Sequence, residues 1–292
     1  MGKLGINKVI IYIDGGLGNQ MFQFAFASII AKKNNSKILI DNSFFDANNK
    51  DINYILRDFG LSIFNINYKV YKSSFLNNFF LKFIALEKYI EPSFDFNQKA
   101  LKLKPPIYIK GYFQSHKYFY GHESYIRKIF TFPEHLIDLK NIKTLDEIQH
   151  TESISIHIRR GDYVDDKTTN KVHGTCSLEY YLESIKMITE NKLKNFCIYF
   201  FSDDIDWVKE NFNDLEFKKQ FIDNNKDDKS WIDMFLMSKC KHNIIANSSF
   251  SFWGAWLNSN KNKQVIAPKQ WFLDPDLEAQ SKNLIPPTWI RI

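Results

Sequence analysis

The stretch SISIHIRRGDYV, residues 153–164, begins as a β-strand and ends in charge. Ile154, Ile156 and Ile158 alternate with polar residues, and this alternation is typical of a strand. Two arginines, a glycine and an aspartate follow directly. Open α/β sheets bind ligands at the carboxyl ends of their strands, and a guanidinium binds phosphate through paired hydrogen bonds. The stretch therefore predicts an anion-binding site at the end of a central strand.

Strands and helices alternate along the rest of the second half. Residues 177–191 place apolar side chains on one helical face, with Ser177 positioned as the N-cap, and residues 196–201 form an apolar run typical of a buried parallel strand. Further strands are predicted at 220–223, 243–246 and 264–267, and further helices at about 230–240 and 249–258. This alternation predicts a parallel sheet that is covered by helices on both faces.

The first half opens in the same way. Its predicted elements are strands at 8–13, 37–40 and 105–113 and a helix at 21–33. Residues 73–90 are interpreted as a helix in the core or between domains, and the alternative is a segment that lies on a membrane surface. A polar stretch at 140–152 suggests a boundary between an N-terminal domain, 1–145, and a C-terminal domain, 146–292.

Composition sets the class of protein but not its partner. The 292 residues are 44% hydrophobic and 25% charged, as in a soluble globular protein, and the aromatic content of 16% suits a sugar- or base-binding cleft. A net charge of +6 is compatible with an anionic substrate, a nucleic acid or an anionic membrane. The three cysteines show no CxxC spacing, which argues against a zinc site or a disulfide framework. With no signal peptide and no apolar run of about 20 residues, a cytoplasmic protein is expected.

The loop DGGLGNQ lies between the first predicted strand and helix. Its glycines, Gly16 and Gly18 among them, let the backbone approach a ligand, and a helix start offers N–H groups to an anion. The amides of Asn19 and Gln20 could donate hydrogen bonds to phosphate or sugar. A tight turn without a ligand is the alternative, and Met21 stands where a dinucleotide-binding fingerprint has its third glycine.

In HIRRGDY, the alternation of the strand places His157 and Arg159 on the same side. Arg159 can therefore reach a ligand at the edge of the sheet, and its charge is permanent. His157 is a candidate acid or base, or else a neighbour that positions Arg159. Arg160 points elsewhere and is expected to pair with Asp162 in a structural role.

Two more polar clusters follow predicted strands. Asp204 and Asp206 have the DxD spacing that could hold a divalent ion together with a diphosphate. Alternatively, Asp203 and Asp204 hydrogen-bond a base or a ribose, or cap a helix. The second cluster lies at a predicted helix N-terminus, an anion site if occupied and an ordinary cap otherwise. It consists of Asn247, Ser248 and Ser249.

Six motifs occur together in a specific order: GGLGNQMFQFAFA, GYFQSHKYF, HIRRGDYV, CSLEYY, FSDD and NSSFSFWGAWL. From about residue 9 to 275 the chain thereby resembles bacterial members of glycosyltransferase family 11, the α-1,2-fucosyltransferases. The resemblance implies an α/β, GT-B-like fold of two Rossmann-like lobes with a cleft between them, the first on the acceptor side and the second binding the nucleotide. It also implies inverting transfer of L-fucose from GDP-β-L-fucose to the 2-hydroxyl of a terminal β-galactoside, in glycan or lipopolysaccharide biosynthesis. No metal and no other cofactor is expected, and peripheral contact with the inner membrane is compatible with this role.

The resemblance also implies roles for single residues. Arg159 resembles the arginine that holds the donor's diphosphate, supported by His157 and Asp162, and Asn19 resembles a residue that faces both diphosphate and acceptor. These four are the expected catalytic residues, and the proton acceptor is left open among His157, Asp162 and Asp14. The expected substrate-binding residues are Gly16, Gly18, Gln114, Asp203, Asp204, Asn247, Ser248 and Ser249.

Three other functions are compatible with parts of the sequence. A metal-dependent glycosyltransferase with another nucleotide sugar would use Asp204 and Asp206. A nucleotide-cofactor oxidoreductase would use the glycine loop and Asp41, although Met21 counts against it. A non-enzymatic nucleic-acid- or glycan-binding protein would use the positive charge and the aromatic residues. The basic residues are scattered rather than clustered, so no nucleic-acid partner is expected.

Overall fold

The computed structural model describes residues 7–46, 58–71, 86–190 and 196–292. Contacts within the chain divide it into two compact units, Met1–Thr131 and Phe132–Ile292. The division falls earlier in the chain than the sequence suggests. The polar stretch before residue 150 forms a helix, Leu139–His150, which packs against the helix Ser230–Lys239 of the second unit.

The first unit is built on a parallel sheet. Its described strands are β1 (Lys8–Tyr12), β2 (Lys37–Asp41), β3 (Lys69–Val70), β4 (Glu87–Ile90) and β5 (Ile107–Lys110), and its described helices are α1 (Leu17–Lys33) and α2 (Glu123–Ile129). The strands lie in the order β3-β2-β1-β5-β4. Short 3₁₀ turns occupy Ser43–Phe45, Gly60–Ile63, Gln98–Lys102 and His116–Phe119.

Helix α1 provides the core of the first unit. Its residues from Met21 to Ala31 are all buried, and it packs against β1, where Val9 and Ile11 are fully buried. A helix that is apolar on all sides is stable only inside a protein. The helix begins at Leu17 rather than at residue 21, so Asn19 belongs to its first turn.

The prediction of a helix over residues 73–90 is wrong for the carboxyl end of this segment. Residues Glu87–Ile90 form β4, which pairs in parallel with β5, and the pairing of neighbouring strands overrides the local sequence pattern. Residues 73–85, which belong to the segment whose alternative interpretation was a membrane surface, lie outside the described part of the chain. Of the helices that the structure describes, none is both long and apolar enough to cross a bilayer.

The second unit contains a parallel sheet with helices on its faces. The strands are β6 (Glu152–Ile158), β7 (Phe196–Ser202), β8 (Lys219–Ile222), β9 (His242–Ile244), β10 (Val265–Ala267) and β11 (Ile290–Arg291). The helices are α3 (Leu139–His150), α4 (Gly161–Asp165), α5 (Lys167–His173), α6 (Leu178–Thr189), α7 (Ile205–Phe212), α8 (Ser230–Lys239), α9 (Ser249–Leu257) and α10 (Pro275–Gln280), and 3₁₀ turns occupy Glu134–Leu136, Asp227–Lys229 and Ser281–Asn283. The described strands lie in the order β11-β10-β9-β6-β7-β8. The strands and helices predicted for this half are confirmed, with small shifts at their ends.

Strand β6 lies in the middle of this second sheet. Ile154, Ile156 and Ile158 join one apolar core with residues of β7 and α6, as the alternation in the sequence predicts. The other face of β6 is buried as well, from Ser153 to His157. A strand enclosed on both faces holds its carboxyl end in a fixed place, and Arg159 directly follows that end.

In both sheets the strand order reverses at one point. In the first sheet the described strands run from β1 outward to β3, and β4 and β5 then lie on the other side of β1, with β5 next to it. In the second sheet they run from β6 outward to β8, and β9 then lies on the other side of β6. At such a point the loops that follow the two central strands leave in opposite directions, which opens a crevice for ligands. The residues next to these points follow β1, β5, β6 and β9.

A buried polar network ties α3 to α8 in the second unit. Asn141 and Asn225 exchange two side-chain hydrogen bonds of 2.8 and 2.9 Å, and Asn225 Nδ2 donates to Asp233 Oδ1 at 2.7 Å. Burial raises the pKa of the Asp233 carboxyl to about 8, although the bond from Asn225 acts to lower it. The folded protein therefore holds a proton on Asp233 at neutral pH.

This proton makes the stability depend on pH. Between about pH 4 and pH 8 the folded state keeps the proton, whereas an unfolded chain with the ordinary value of 3.8 has lost it, so the free energy of unfolding falls as pH rises through that window. Asp233→Asn removes the titration, and we expect its melting temperature to exceed that of the wild type by about 2 °C or more at pH 8 and by less near pH 4.5. Thermal unfolding at both pH values measures this. Asp228→Asn, at an exposed position, is the control, and equal effects of Asp233→Asn at the two pH values would contradict the prediction.

Candidate active site

Arg159 follows β6 directly and is held by two carboxylates, one from helix α4 and one from the loop after β7. Its Nη1 forms an ion pair with Asp203 Oδ2 at 2.8 Å, and its Nη2 pairs with Asp162. Burial alone would lower the pKa of Arg159, but Asp203 and Asp162 outweigh burial and raise it. The guanidinium is therefore charged and fixed, and its side chain remains 20% exposed and open to a ligand.

Asp203 connects the ends of the two neighbouring strands. It lies just after β7, and its Oδ1 accepts the backbone N–H of Arg160 at 2.9 Å. A Cβ on Gly161 would lie only 2.5 Å from Asp203 Oδ2, so a side chain at this position would displace the Asp203 carboxylate. The motifs RRGD and FSDD therefore form one structural unit.

The pairing expected for Arg160 is wrong. Its Nε bonds Asp204 Oδ2 at 3.0 Å and its guanidinium lies 4.1 Å from the ring centre of Trp207, whereas Asp162 pairs with Arg159. The reason is that α4 turns Asp162 back toward Arg159 one helical turn away. Asp204 also caps α7 by accepting the N–H of Trp207, so its carboxylate is already engaged before any ligand binds.

His157 lies beneath Arg159 and is almost fully buried. Burial, reinforced by the charge of Arg159, lowers the pKa of His157 to about 3, so the ring is neutral at physiological pH. Its Nδ1 is buried without a hydrogen-bond partner among the described residues, and its ring contacts Phe250 at a centroid distance of 5.5 Å. A base with so low a pKa accepts a proton poorly, and the positioning role is favoured.

Tyr163 was not among the candidates, but it completes the surroundings of Arg159. Its ring lies 5.3 Å from the guanidinium carbon and stacks on His173 at 4.7 Å, and its hydroxyl donates to the carbonyl of Asn247 at 3.4 Å. It belongs to the quoted motif HIRRGDYV. Its role was not foreseeable because only the fold brings α5 and β9 beside it.

Asn247, Ser248 and Ser249, in the segment between β9 and α9, differ in what they contact. The Asn247 side-chain amide donates to the carbonyls of His173 and Trp271 at 2.8 and 3.1 Å. Ser248 caps α9 by accepting the N–H of Phe250 at 3.3 Å. Ser249 is the first residue of α9 and is partly exposed at the start of the helix. A helix start attracts anions, and this one follows the strand next to β6.

In the first unit the structure brings Asn19 and Gln114 together. Gln114 Nε2 donates to Asn19 Oδ1 at 2.9 Å, although the two residues are far apart in the sequence. Gly15, with a φ of +73°, lies under Asn19, where a Cβ would come within 2.8 Å of Asn19 Nδ2. Gly16 is the N-cap of α1, and Gly18 is buried in its first turn. The pair therefore lies at the point where the order of the first sheet reverses.

Gln20 does not serve a ligand, contrary to the expectation from the sequence. Its Nε2 donates to the carbonyls of Gly15 and Asp58 at 2.9 Å each, and its Oε1 accepts the N–H of Gly60 at 2.9 Å. The side chain is fully buried, so these bonds are needed to satisfy it. It fixes the glycine loop to the neighbouring segment.

Other carboxylates considered from the sequence are also engaged. Asp14 is bonded by Gln23 Nε2 at 2.5 Å, and burial raises its pKa. Asp41 accepts the hydroxyl of Tyr108 at 2.8 Å. Asp206 lies in the first turn of α7. Asp206 thus belongs to the helix that Asp204 caps.

A cavity of about 610 Å³ lies in the second unit beside the start of α6. Cys176, Ser177, Tyr180 and Lys269 are among its lining residues. Of the candidate site residues only Asn247 borders it, and none of the groups that hold Arg159 does so. The cavity and the arginine cluster are therefore neighbours that share the Asn247 loop.

The chain is similar to known proteins in sequence and in fold. A sequence model of glycosyl transferase family 11 matches residues 3–292. The chain is 36% identical to an α-1,2-colitosyltransferase of Escherichia coli, over 97% of this chain and 98% of that protein. It is 34% identical to the O-antigen biosynthesis glycosyltransferase WbnK of Escherichia coli, over 89% and 93% of the two chains.

Among solved structures, POFUT1 in complex with GDP-fucose is similar in fold, with a TM-score of 0.50, 12% sequence identity and coverage of 89% of this chain and 98% of that one. At this identity the likeness concerns the fold alone. The fold is α/β and GT-B-like, which confirms the predicted fold class. With the family match spanning nearly every residue, the chain belongs to glycosyl transferase family 11.

Proposed function

We propose that this chain is an inverting glycosyltransferase that moves L-fucose from GDP-β-L-fucose to the 2-hydroxyl of a terminal β-galactoside. The observation that carries the proposal is Arg159, a partly exposed and permanently charged group fixed by Asp162 and Asp203 where the order of the second sheet reverses. Similarity to an O-antigen biosynthesis glycosyltransferase supports a role in making bacterial surface polysaccharide.

Arg159 would stabilise the leaving group. Cleavage of the bond between sugar and GDP places negative charge on the β-phosphate, and a preorganised donor at such a site is worth about 3–4 kcal/mol of barrier. A guanidinium has five N–H donors. The bonds to Asp162 and Asp203 involve both terminal nitrogens, but they do not use all five N–H groups. The two carboxylates weaken the attraction for phosphate, but they fix the direction of the remaining donors.

The rest of the donor would bind to loops of the second unit. Ser248 and Ser249 would offer hydroxyl and helix N-terminal groups to phosphate. Asp203 and Asp204 would contact guanosine through carboxylate lone pairs that their bonds within the protein leave unused. The acceptor would bind on the first unit, where Asn19 and Gln114 form a fixed amide pair beside Gly16 and Gly18. Amides suit this task because they both donate to and accept from sugar hydroxyls.

The acceptor hydroxyl must lose a proton as it attacks. His157 is a poor acceptor because burial and Arg159 lower its pKa to about 3. Asp162 is committed to Arg159, and Asp14 is partly buried and bonded by Gln23. These environments support a late proton transfer, in which the bond between fucose and GDP breaks before the acceptor hydroxyl loses its proton. Such a reaction requires no strong base.

A second candidate differs only in the donor sugar. The 36% identity to an α-1,2-colitosyltransferase extends over nearly the full length of both chains. Colitose is fucose without its 3-hydroxyl, so the same diphosphate and guanosine contacts would serve either donor. The choice between them depends on what surrounds the sugar's 3-position.

The direct test offers the purified chain GDP-fucose, GDP-colitose and UDP-galactose with a panel of β-galactosides, with and without EDTA. Transfer from GDP-fucose, with an α-1,2 linkage determined by NMR, is the expected result. Transfer from GDP-colitose alone would replace the first candidate by the second. Transfer that is abolished by EDTA, or that occurs only from UDP-galactose, would favour a metal-dependent enzyme with another nucleotide sugar.

The role of Arg159 predicts a large kinetic effect. Arg159→Ala should lower kcat for fucosyl transfer about 100- to 1,000-fold, because the charge on the departing phosphate loses its fixed partner. Arg160→Ala is the matched control, since it removes an adjacent arginine that bonds Asp204 and packs on Trp207, and its effect should be much smaller. Steady-state kinetics and circular dichroism of both variants measure this. Near-normal turnover by Arg159→Ala would refute the diphosphate role.

Asn247 is expected to act through the scaffold. Asn247→Ala leaves the carbonyls of His173 and Trp271 without their donor and should lower the free energy of unfolding by about 1–3 kcal/mol. Asn262→Ala, on an exposed loop, should change it by less than about 0.5 kcal/mol. Urea unfolding measures both values. An Asn247→Ala protein of normal stability that no longer binds GDP would instead assign Asn247 to substrate contact.

A further inference from the structure

Glu91 is a half-buried residue whose carboxylate holds the loop after β5. It directly follows β4, and its Oε2 accepts the backbone N–H groups of Tyr112 and Phe113 at 2.7 and 2.9 Å. The backbone N–H of Glu91 donates to the carbonyl of Lys110 at 2.8 Å, so the pairing with β5 continues up to this point. One side chain therefore receives two successive amides of the neighbouring loop.

The loop is shaped around this carboxylate. A Cβ on Gly111 would come within 2.3 Å of the Cβ of Glu91, so only glycine permits the approach. Phe113 has a φ of +52°, a conformation that a bulky residue adopts only when its surroundings impose it. The ring of Phe113 stacks on Phe26 of α1 at 3.9 Å, which fixes the other side of the loop.

The next residue along this loop is Gln114. Its side chain donates to Asn19 Oδ1, and both residues are candidates for the acceptor site. The direction of the Gln114 side chain follows from the backbone of Phe113, because that residue's left-handed conformation turns the chain. A connected path of bonds thus leads from Glu91 through two amides to the Asn19–Gln114 pair.

The charge on Glu91 is poorly compensated. Its Oε1 is buried and has no hydrogen-bond partner among the described residues. Burial raises the pKa of Glu91 to about 7, against the lowering effect of the Phe113 and Tyr112 amides. The titratable groups that face it are Tyr89 of β4 and Tyr118 of the following 3₁₀ turn, and both have raised pKa values, so neither ionises near neutral pH.

We propose that Glu91 is a positioning residue for glycosyl transfer: its carboxylate sets the loop 111–115 and thereby orients Gln114 against Asn19. The proposal rests on the proposed function, in which this amide pair contacts the acceptor. Two amide bonds to one oxygen, a glycine with no space for a side chain and an imposed left-handed residue are more than a surface loop needs for stability alone. A carboxylate is stronger here than a neutral acceptor, because its bonds to the amides are charge-assisted.

The test is a double-mutant cycle. Glu91→Gln keeps the shape but removes the charge, and we expect it to lower kcat/KM for the acceptor about tenfold while hydrogen exchange in the 111–118 peptide becomes faster. If Glu91 acts through Gln114, the double variant with Gln114→Ala should be no slower than Gln114→Ala alone, because interacting residues are not additive. In the wild type, activity should decline below about pH 7 as Glu91 is protonated, and Glu91→Gln should lose this limb.

Glu278 provides the matched control. Its Oε2 accepts the backbone N–H groups of Trp271 and Phe272 at 2.8 and 2.9 Å, which is the same arrangement in the second unit. The double variant Glu278→Gln with Gln114→Ala should lose kcat/KM by the product of the two single losses, because the two changes lie in different units. If Glu91→Gln does not fold, Gln114→Ala alone tests the proposal, because its activity should not show the decline below about pH 7 that the wild type shows.

Two results would overturn the proposal. One is a double variant whose loss equals the product of the two single losses, and the other is hydrogen exchange in residues 111–118 that Glu91→Gln leaves unchanged. Failure of the proposed function is distinguishable from both, because the wild type would then transfer no sugar from either GDP-fucose or GDP-colitose. An active enzyme with independent effects would refute only the role of Glu91.

Discussion

The ion pair between Arg159 and Asp203 is the interaction on which the candidate site of the second unit depends. It joins the residue after β6 to the residue after β7, and the same carboxylate holds the backbone of Arg160. Asp162 adds a second carboxylate from α4. A guanidinium held by two acids is placed with little freedom, so the reorganisation needed when charge develops on a phosphate is small. The two carboxylates weaken the attraction between Arg159 and an anion, but they fix the direction in which the guanidinium points.

The two units have sheets of similar topology, but the candidate site residues on their loops differ in chemistry. Each sheet reverses its order beside its first strand, and candidate site residues lie on the loops at that point. In the second unit these loops carry fixed charge, which suits a nucleotide diphosphate. In the first unit they carry the Asn19–Gln114 amide pair, which suits neutral sugar hydroxyls. This division of chemistry follows from the residues at equivalent places in two similar sheets.

The sequence alone predicted the architecture of the second unit well, because isoleucine alternation in β6 and the apolar run of β7 are strong periodic signals. It also singled out Arg159 and Asp203, since charge just after a buried strand is unusual. It could not predict that Arg160 pairs with Asp204 or that the Gln20 side chain hydrogen-bonds backbone groups, because those bonds depend on loops that only the fold brings together. Glu91 gave no signal at all, since a single acid before a proline has no periodicity or motif.

Glu91 and Glu278 show how the loops of this fold are fastened. In each case one acid from outside the loop binds two successive amides, so the loop's shape depends on a single anchor rather than on a ladder of strand bonds. The segment beyond the anchor can then vary in length and composition while its base keeps the same path. Such a construction makes the fold modular: a loop beyond its anchor can be exchanged or grafted without any change to the sheets beneath.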